Sequence, residues 1–127
     1  MKKIILMLLL VNFSLPVQAE WVLYATGEPD GDEYYYESTS IKKLPNNKRR
    51  VWEYLNYATR RSESDVNSIK GYIELDCKDE HFKILTGTSY KENNLKGYGS
   101  YFGGSPEELV YISPKSVRTV LLKIVYK

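Results

Sequence analysis

The most constraining pattern in the sequence is the alternation of small or apolar residues with polar residues between positions 69 and 77. One set of positions holds Ile69, Gly71, Ile73, Leu75 and Cys77. The positions between them hold Lys70, Tyr72, Glu74 and Asp76. Because successive side chains of a strand point to opposite faces of a sheet, this alternation predicts a β-strand with one buried face. The same parity predicts that the Cys77 thiol is buried.

Five further segments have the composition of short strands, being rich in Tyr, Trp, Val and Ile. They are residues 21–26, 33–37, 49–58, 81–90 and 109–112. Residues 27–32 and 45–47 are rich in Gly, Pro, Asn and Asp, which is typical of turns. Residues 38–41 predict a single helical turn, and the glycine-rich residues 91–106 predict a loop. The sequence therefore predicts about six short strands in succession.

The hydrophobic period changes near the end of the chain. Apolar residues spaced as on one face of an α-helix are Val117, Val120, Leu121, Ile124 and Val125. The Ser113-Pro114 pair before them predicts an N-cap and a proline at the first helical position. The predicted fold class is therefore α+β, an antiparallel meander sheet of about six strands with one C-terminal α-helix packed on one face.

The first nineteen residues have the pattern of a secretory signal peptide. Lys2 and Lys3 precede an unbroken apolar run over residues 4–11, and Val17-Gln18-Ala19 matches the motif that signal peptidase cuts. The apolar run is shorter than the roughly 20 residues that a membrane-spanning helix needs. Cleavage after Ala19 would leave residues 20–127 as a single domain that is periplasmic or secreted. Since no cysteine follows the cleavage site, we expect no lipid anchor.

Loss of the signal peptide also changes the charge of the molecule. The full chain has 18 basic and 16 acidic residues, and two of the basic residues are Lys2 and Lys3. The mature chain is therefore formally neutral and has no strong overall field that would attract nucleic acid. Any electrostatic recognition must come from a local cluster of charges.

The residues that catalysis or metal binding would need are scarce. Cys77 and His81 are the only cysteine and histidine, so the chain can form neither an internal disulfide nor a cysteine–histidine zinc cluster. A thiol buried on the apolar face is a poor nucleophile. The acidic turn lacks the full calcium-loop pattern, and Phe102 interrupts the glycine spacing of a dinucleotide-binding loop. We therefore expect a protein that is not an enzyme and has no metal or cofactor.

Two surfaces are candidates for contact with a partner. The first is a group of basic residues around the Asn46-Asn47 turn, namely Lys42, Lys43, Lys48, Arg49 and Arg50. These residues would form either a solvated hairpin or a patch that binds an acidic protein or polysaccharide. The second comprises Trp52, Tyr54 and Tyr72, which parity places on the face away from the helix. They would serve either as strand packing or as an association face, since aromatic residues are enriched at interfaces.

Several motifs in this order resemble the bacterial surface-adhesin protein E family. They are Glu20-Trp21-Val22, Tyr35-Tyr36-Glu37 with Ser40-Ile41, Arg50-Val51-Trp52, Glu74-Leu75-Asp76-Cys77, Ile112-Ser113-Pro114-Lys115-Ser116 and Leu121-Leu122-Lys123. The resemblance implies a six-stranded antiparallel sheet with a C-terminal helix. It also implies a homodimer, and binding of host matrix or serum proteins such as vitronectin and laminin.

The sequence departs from the family pattern at two places. The resemblance implies a second cysteine near the chain end, paired with the cysteine that Cys77 matches, but Tyr126 occupies that position here. The lipid-anchor cysteine of the family's namesake is also replaced. Two functions therefore remain open: an adhesin-like protein that binds a host protein, and a periplasmic interaction module with bacterial partners.

Overall fold

Six of the strands in the sheet occur where the sequence predicts them. The computed structural model describes residues 19–27, 30–58, 66–104 and 108–127, so the expected signal peptide lies outside the described residues except for Ala19. These parts of the chain form one antiparallel sheet of eight strands and one C-terminal helix. The elements are β1 (Trp21–Gly27), β2 (Asp32–Glu37), β3 (Lys42–Leu44), β4 (Lys48–Asn56), β5 (Ser68–Asp76), β6 (His81–Tyr90), β7 (Gly99–Gly103), β8 (Val110–Tyr111) and α1 (Val117–Val125).

Two strands, β3 and β7, were not predicted. The strand order is β1-β2-β4-β5-β6-β7. In addition, β3 pairs with β4 and β8 pairs with β6. The expected loop over residues 91–106 is therefore wrong at Gly99–Gly103, which pairs with β6. Phe102 lies so close over Gly87 that a Cβ atom there would meet its ring at 2.2 Å. This edge strand depends on a non-local contact, and local alternation gives no sign of it.

A short turn separates β2 from β3, and both strands pair with β4. The predicted helical turn is present as a 3₁₀ turn at Ser38–Ser40. The Ser40 hydroxyl donates to the Glu37 carbonyl (2.8 Å) and accepts from the Trp52 backbone N–H (3.0 Å). The serine therefore replaces the missing ladder bond and fixes the backbone of β4 at Trp52.

Helix α1 packs on one face of the sheet, which we call the helix face. The buried core there comprises Val51, Ile73, Leu75, Ile112, Leu121, Leu122 and Val125. At the border of this core, the Arg118 guanidinium pairs with the Glu53 carboxylate and lies 3.8 Å from the centre of the Phe82 ring. Apolar packing thus joins the helix to the sheet, and an ion pair at its N-terminal end adds to it.

Two details of the predicted helix are wrong. Val120 is 41% exposed, whereas Leu122 is buried, so the buried stripe is rotated from the expected one. The helix begins at Val117 rather than at Pro114, and Ser116 rather than Ser113 is the N-cap. Lys115 has a φ of +66°, in the left-handed region, and this conformation prevents a helix from running through residues 114–116.

The predicted burial of Cys77 is also wrong, because this thiol is exposed. Strand β5 ends at Asp76, so the parity of the strand no longer applies one residue later. The Tyr126 phenol oxygen lies beside it, accepting from the Cys77 backbone N–H at 3.1 Å. The same oxygen lies 2.6 Å from the Asn47 carbonyl and 2.9 Å from the Leu75 carbonyl, to either of which it can donate. A tyrosine therefore links the helix end to the sheet where the family resemblance implies a disulfide.

We expect Tyr126→Phe to lower the free energy of unfolding by about 1–2 kcal/mol, because it removes these hydrogen bonds and leaves backbone groups without a partner. The phenylalanine keeps the ring on which the Arg49 guanidinium lies, 4.5 Å from its centre. Urea denaturation measures the difference. The matched control is Tyr111→Phe, whose exposed hydroxyl makes only a 3.5 Å contact with Glu80 and whose loss should change stability by less than about 0.5 kcal/mol. Equal effects of the two changes would contradict this role for Tyr126.

Candidate binding surface

The face of the sheet opposite α1, which we call the open face, has no helix packed on it within the described residues. Its side chains alternate with those of the core, so Trp52 and Tyr72 lie on it while Val51 and Ile73 lie beneath the helix. The loop after β6 covers only one end of this face. Asn93 and Asn94 there bond to the Asn56 side-chain oxygen at 2.9 Å each. Among the described residues, no helix or further loop is seen to cover the part of the open face around Trp52 and Tyr72.

Two groups of aromatic rings occupy this face. Trp52 and Tyr72 are directly opposite in the register of β4 and β5, and their rings stack at 4.9 Å. Tyr54 stacks with Tyr35 at 4.4 Å and meets Trp21 edge-on at 5.0 Å. The three predicted aromatic residues thus belong to two neighbouring groups rather than one. Tyr54 is itself buried, whereas Trp21 and Trp52 remain partly exposed.

A groove of about 280 Å³ separates the two tryptophans. Its lining comprises Ala19, Trp21, Glu37, Thr39, Trp52 and Lys70. The Lys70 ammonium lies 5.2 Å from the centre of the Trp52 ring, a distance suited to a cation–π contact. Strand parity did not predict that Trp21 and Tyr35 belong to this surface, or that the groove exists, because they meet the predicted residues only through the register of separate strands.

The five basic residues of the hairpin do not form one patch. Strands β3 and β4 pair around the predicted turn, where Asn46 and Asn47 both have positive φ. Lys42 and Lys43 are exposed, but Arg49 lies on the helix face against Tyr126. Lys48 and Arg50 lie on the open face with Glu74. Neighbouring positions along a strand point to opposite faces, so the cluster in the sequence is divided in space. The basic pair Arg60-Arg61 lies outside the described residues.

Glu74 is a nearly buried carboxylate that gathers three cations. Its oxygens lie 3.0 Å from Arg50 Nε, 3.2 Å from Lys83 Nζ and 4.0 Å from Lys48 Nζ. Burial acts to raise the pKa of the Glu74 carboxyl, but the hydrogen bonds and charges of Lys83 and Arg50 outweigh it and hold the pKa below its usual value. These cations are therefore partly neutralised and fixed in place at one end of the open face.

The lowered pKa of Glu74 predicts a dependence of stability on pH. A carboxyl with a lowered folded pKa contributes stability above its unfolded pKa of about 4.3 and loses it as the pH falls through the folded value. We expect Glu74→Gln to reduce the loss of unfolding free energy between pH 7 and pH 3 by about 1 kcal/mol. Denaturation at a series of pH values measures this, with the exposed Glu108→Gln as the control. Parallel pH curves for Glu74→Gln and the wild type would refute the assignment.

Asp76, Asp79 and His81 are close enough for their ligand atoms to lie within 4.8 Å of one another. However, Asp76 Oδ1 accepts from the backbone N–H groups of Lys78 and Asp79, at 3.0 Å and 3.2 Å, and so stabilises the turn between β5 and β6. Lys48 and Lys83 line the same depression. The cluster is therefore accounted for as a turn, and we assign no ion to it.

The acidic turn between β1 and β2 is likewise accounted for by hydrogen bonds within the protein. Asp32 Oδ1 accepts from the Ala58 backbone N–H at 2.9 Å, and Glu33 Oε1 accepts from the Asn56 amide at 3.0 Å. Gly31, immediately before Asp32, has a φ of +81°, as a tight turn requires. Glu28 lies outside the described residues. None of the helices described here is long and apolar enough to cross a membrane.

These features define a class of protein: a small antiparallel sheet with one face closed by a C-terminal helix and the other presenting aromatic side chains. The model of one family, surface-adhesin protein E, matches residues 21–125. The chain belongs to the surface-adhesin protein E family. A search of curated protein sequences found no match.

Solved structures of Haemophilus influenzae protein E share the fold. Crystal form II is 16% identical, with a TM-score of 0.58 over 84% of this chain and 95% of that one. A second structure is 16% identical, with a TM-score of 0.56 over 86% and 85%. The protein from the non-typeable organism is 15% identical, with a TM-score of 0.53 over 86% of each. The predicted antiparallel sheet with a C-terminal helix is thus confirmed, whereas identities this low say nothing about function.

Proposed function

We propose that this chain is an exported, non-enzymatic, adhesin-like protein that binds a protein partner through the open face. The observation that carries the proposal is the uncovered aromatic surface of Trp21, Trp52 and Tyr72, which lies on a rigid sheet opposite the helix. Membership of a family of surface adhesins supports both export and a protein partner. Host matrix or serum proteins such as vitronectin and laminin are the partners that the family resemblance implies.

The chemistry of the face suits a protein partner. Tryptophan and tyrosine supply large apolar areas with little side-chain entropy to lose, and they dominate the energetics of many interfaces. Neighbouring rings hold Trp52 and Tyr72 in place, so binding would order them little further. The Lys70 ammonium beside the groove and the cations at Glu74 add positive charge, which favours an acidic segment of the partner.

A binding assay with the mature chain tests the proposal. Purified residues 20–127 are applied to immobilised vitronectin and laminin, with serum albumin as the control surface. We expect saturable binding to at least one of them that weakens as salt is raised, because part of the attraction is electrostatic. Sedimentation of the same sample shows whether the chain forms the homodimer that the resemblance also implies. Binding no stronger than that to albumin would overturn the host-protein proposal.

The second candidate function is a periplasmic interaction module that uses the same face on bacterial partners. It is favoured by Glu20, which follows the expected cleavage site where a lipid anchor needs a cysteine. Cell fractionation separates the two functions. Labelling of the protein on intact cells, or its recovery from the medium, supports an adhesin, whereas recovery only from the periplasm supports the module.

A further inference from the structure

The residue at the expected cleavage site is held in an unusual way. The Glu20 backbone nitrogen lies 2.9 Å from Glu37 Oε1. That oxygen also accepts from the Thr39 backbone N–H at 3.2 Å and from the Thr39 hydroxyl at 2.6 Å. The Glu20 carbonyl accepts from the Ser38 backbone N–H at 3.0 Å. Residue 20 is thus fixed on both sides before the first strand begins.

We propose that Glu37 is the binding site for the α-ammonium group that forms when the peptide bond between Ala19 and Glu20 is cut. Hydrolysis by signal peptidase adds the hydroxyl of water to the Ala19 carbonyl carbon and a hydrogen to the Glu20 nitrogen. The new amine then takes a proton from solvent and becomes an ammonium. Since this nitrogen already lies at hydrogen-bond distance from the Glu37 carboxylate, the ion pair forms without movement of the chain.

The electrostatics favour this pair. Glu37 is only 7% exposed, and a carboxylate in such a position is costly unless it is paired. Burial acts to raise the pKa of its carboxyl, but hydrogen bonds from Thr39 and from the Glu20 backbone outweigh burial and hold the pKa below its usual value. Two further charged groups lie near the site among the described residues: the Glu20 carboxylate, 3.2 Å from the Ser38 hydroxyl, and Lys70, which lines the same groove as Glu37. Cleavage adds a second cation, so two positive charges balance two negative ones.

The same cleavage changes the groove on the open face. Ala19 is part of the lining between Trp21 and Trp52, so its departure with the signal peptide widens the groove. Cleavage therefore both supplies the ammonium that pairs with Glu37 and removes Ala19 from the groove between the two tryptophans. The proposal rests on export, which is part of the proposed function, but it does not depend on adhesion.

The test compares two chains that differ only in where they begin. One is the mature chain that starts at Glu20, and the other retains Gln18-Ala19 so that its α-ammonium lies two residues away. At pH 6 we expect the chain starting at Glu20 to melt about 5 °C higher. The pair contributes while the amine is charged, below its unfolded pKa of about 8, and is lost as the pH rises through the folded value. The difference should therefore vanish by pH 11. Lys70 is present in both chains, so its contribution cancels in the comparison.

Two further variants keep the proposal falsifiable. In Glu37→Gln both chains should melt at the same temperature. If that variant does not fold, the N-acetylated chain starting at Glu20 removes only the charge and should melt as low as the extended chain. Equal melting temperatures of the two original chains at pH 6 would overturn the proposal, as would N-terminal sequencing of the exported protein that finds a residue other than Glu20 first. Neither result involves a binding partner, so failure of the adhesion assay is a separate outcome.

Discussion

Replacing Leu121 with alanine is expected to lower the free energy of unfolding by about 3 kcal/mol. The Leu121 side chain is 0% exposed and lies in the core with Val51, Ile73 and Leu75. Helix α1 has only nine residues, which is too short for stability in isolation, so packing must hold it. Truncation of its most buried side chain removes that packing and leaves a cavity. Urea denaturation at constant m-value measures the loss.

Val120→Ala is the matched control for this prediction. The helical period places Val120 and Leu121 in the same apolar stripe, but the structure leaves Val120 41% exposed. We therefore expect Val120→Ala to change stability by less than about 0.5 kcal/mol, since alanine also favours the helix. Comparable losses from the two changes would show that the helix packs with the expected stripe rather than the observed one.

The difference between the two stripes shows what local periodicity can predict. The hydrophobic period of 3.6 residues correctly predicted a helix near the C-terminus. It could not decide between a face with Val120 and one with Leu122, because the sequence is apolar at residues 120, 121 and 122. Packing against the sheet made that choice, since Leu121, Leu122 and Val125 are the helix residues in the buried core. The positive φ of Lys115, which delays the start of the helix, has no signal in the residue type.

Strand parity was likewise correct within the strand and wrong at its end. It placed Ile73 and Leu75 correctly in the core, but it failed at Cys77, one residue past the end of the strand. The position of that end depends on the turn stabilised by Asp76 and on Tyr126, which arrives from a distant part of the chain. No local pattern could show that a tyrosine would contact the backbone there.

Only part of the candidate surface was predictable, because alternation along a strand does not show which other strands pair with it. Parity along β4 and β5 put Trp52 and Tyr72 on the open face, but register between strands brought Trp21 and Tyr35 to Tyr54. Closeness in sequence predicts a single basic cluster at the hairpin. Side chains alternate along β4, however, so Arg49 lies on the helix face while Lys48 and Arg50 lie on the open face. The prediction of a single cluster left this alternation out.

Trp52→Ala is expected to weaken binding to the immobilised partner about 30-fold. Removal of a well-packed aromatic anchor typically costs about 2 kcal/mol of binding energy, and each 1.4 kcal/mol is a factor of ten. Trp52 is the ring that contacts both Tyr72 and Lys70 and also lines the groove, so its loss affects each part of the surface. Biolayer interferometry with vitronectin or laminin measures the change. Thermal melting must show that the variant remains folded at the assay temperature.

Two control variants decide whether the open face is the binding surface. Tyr98→Ala removes an aromatic side chain that is 73% exposed in the loop after β6, and we expect it to change affinity less than twofold. The double change of Lys42→Ala and Lys43→Ala removes the exposed cations of the hairpin and leaves the aromatic groups intact. We expect it to change the salt dependence and the association rate more than the dissociation rate, as charges at the rim of an interface do. A larger loss of affinity from this double change than from Trp52→Ala would place the binding surface on the hairpin, because the two variants differ in which surface they alter.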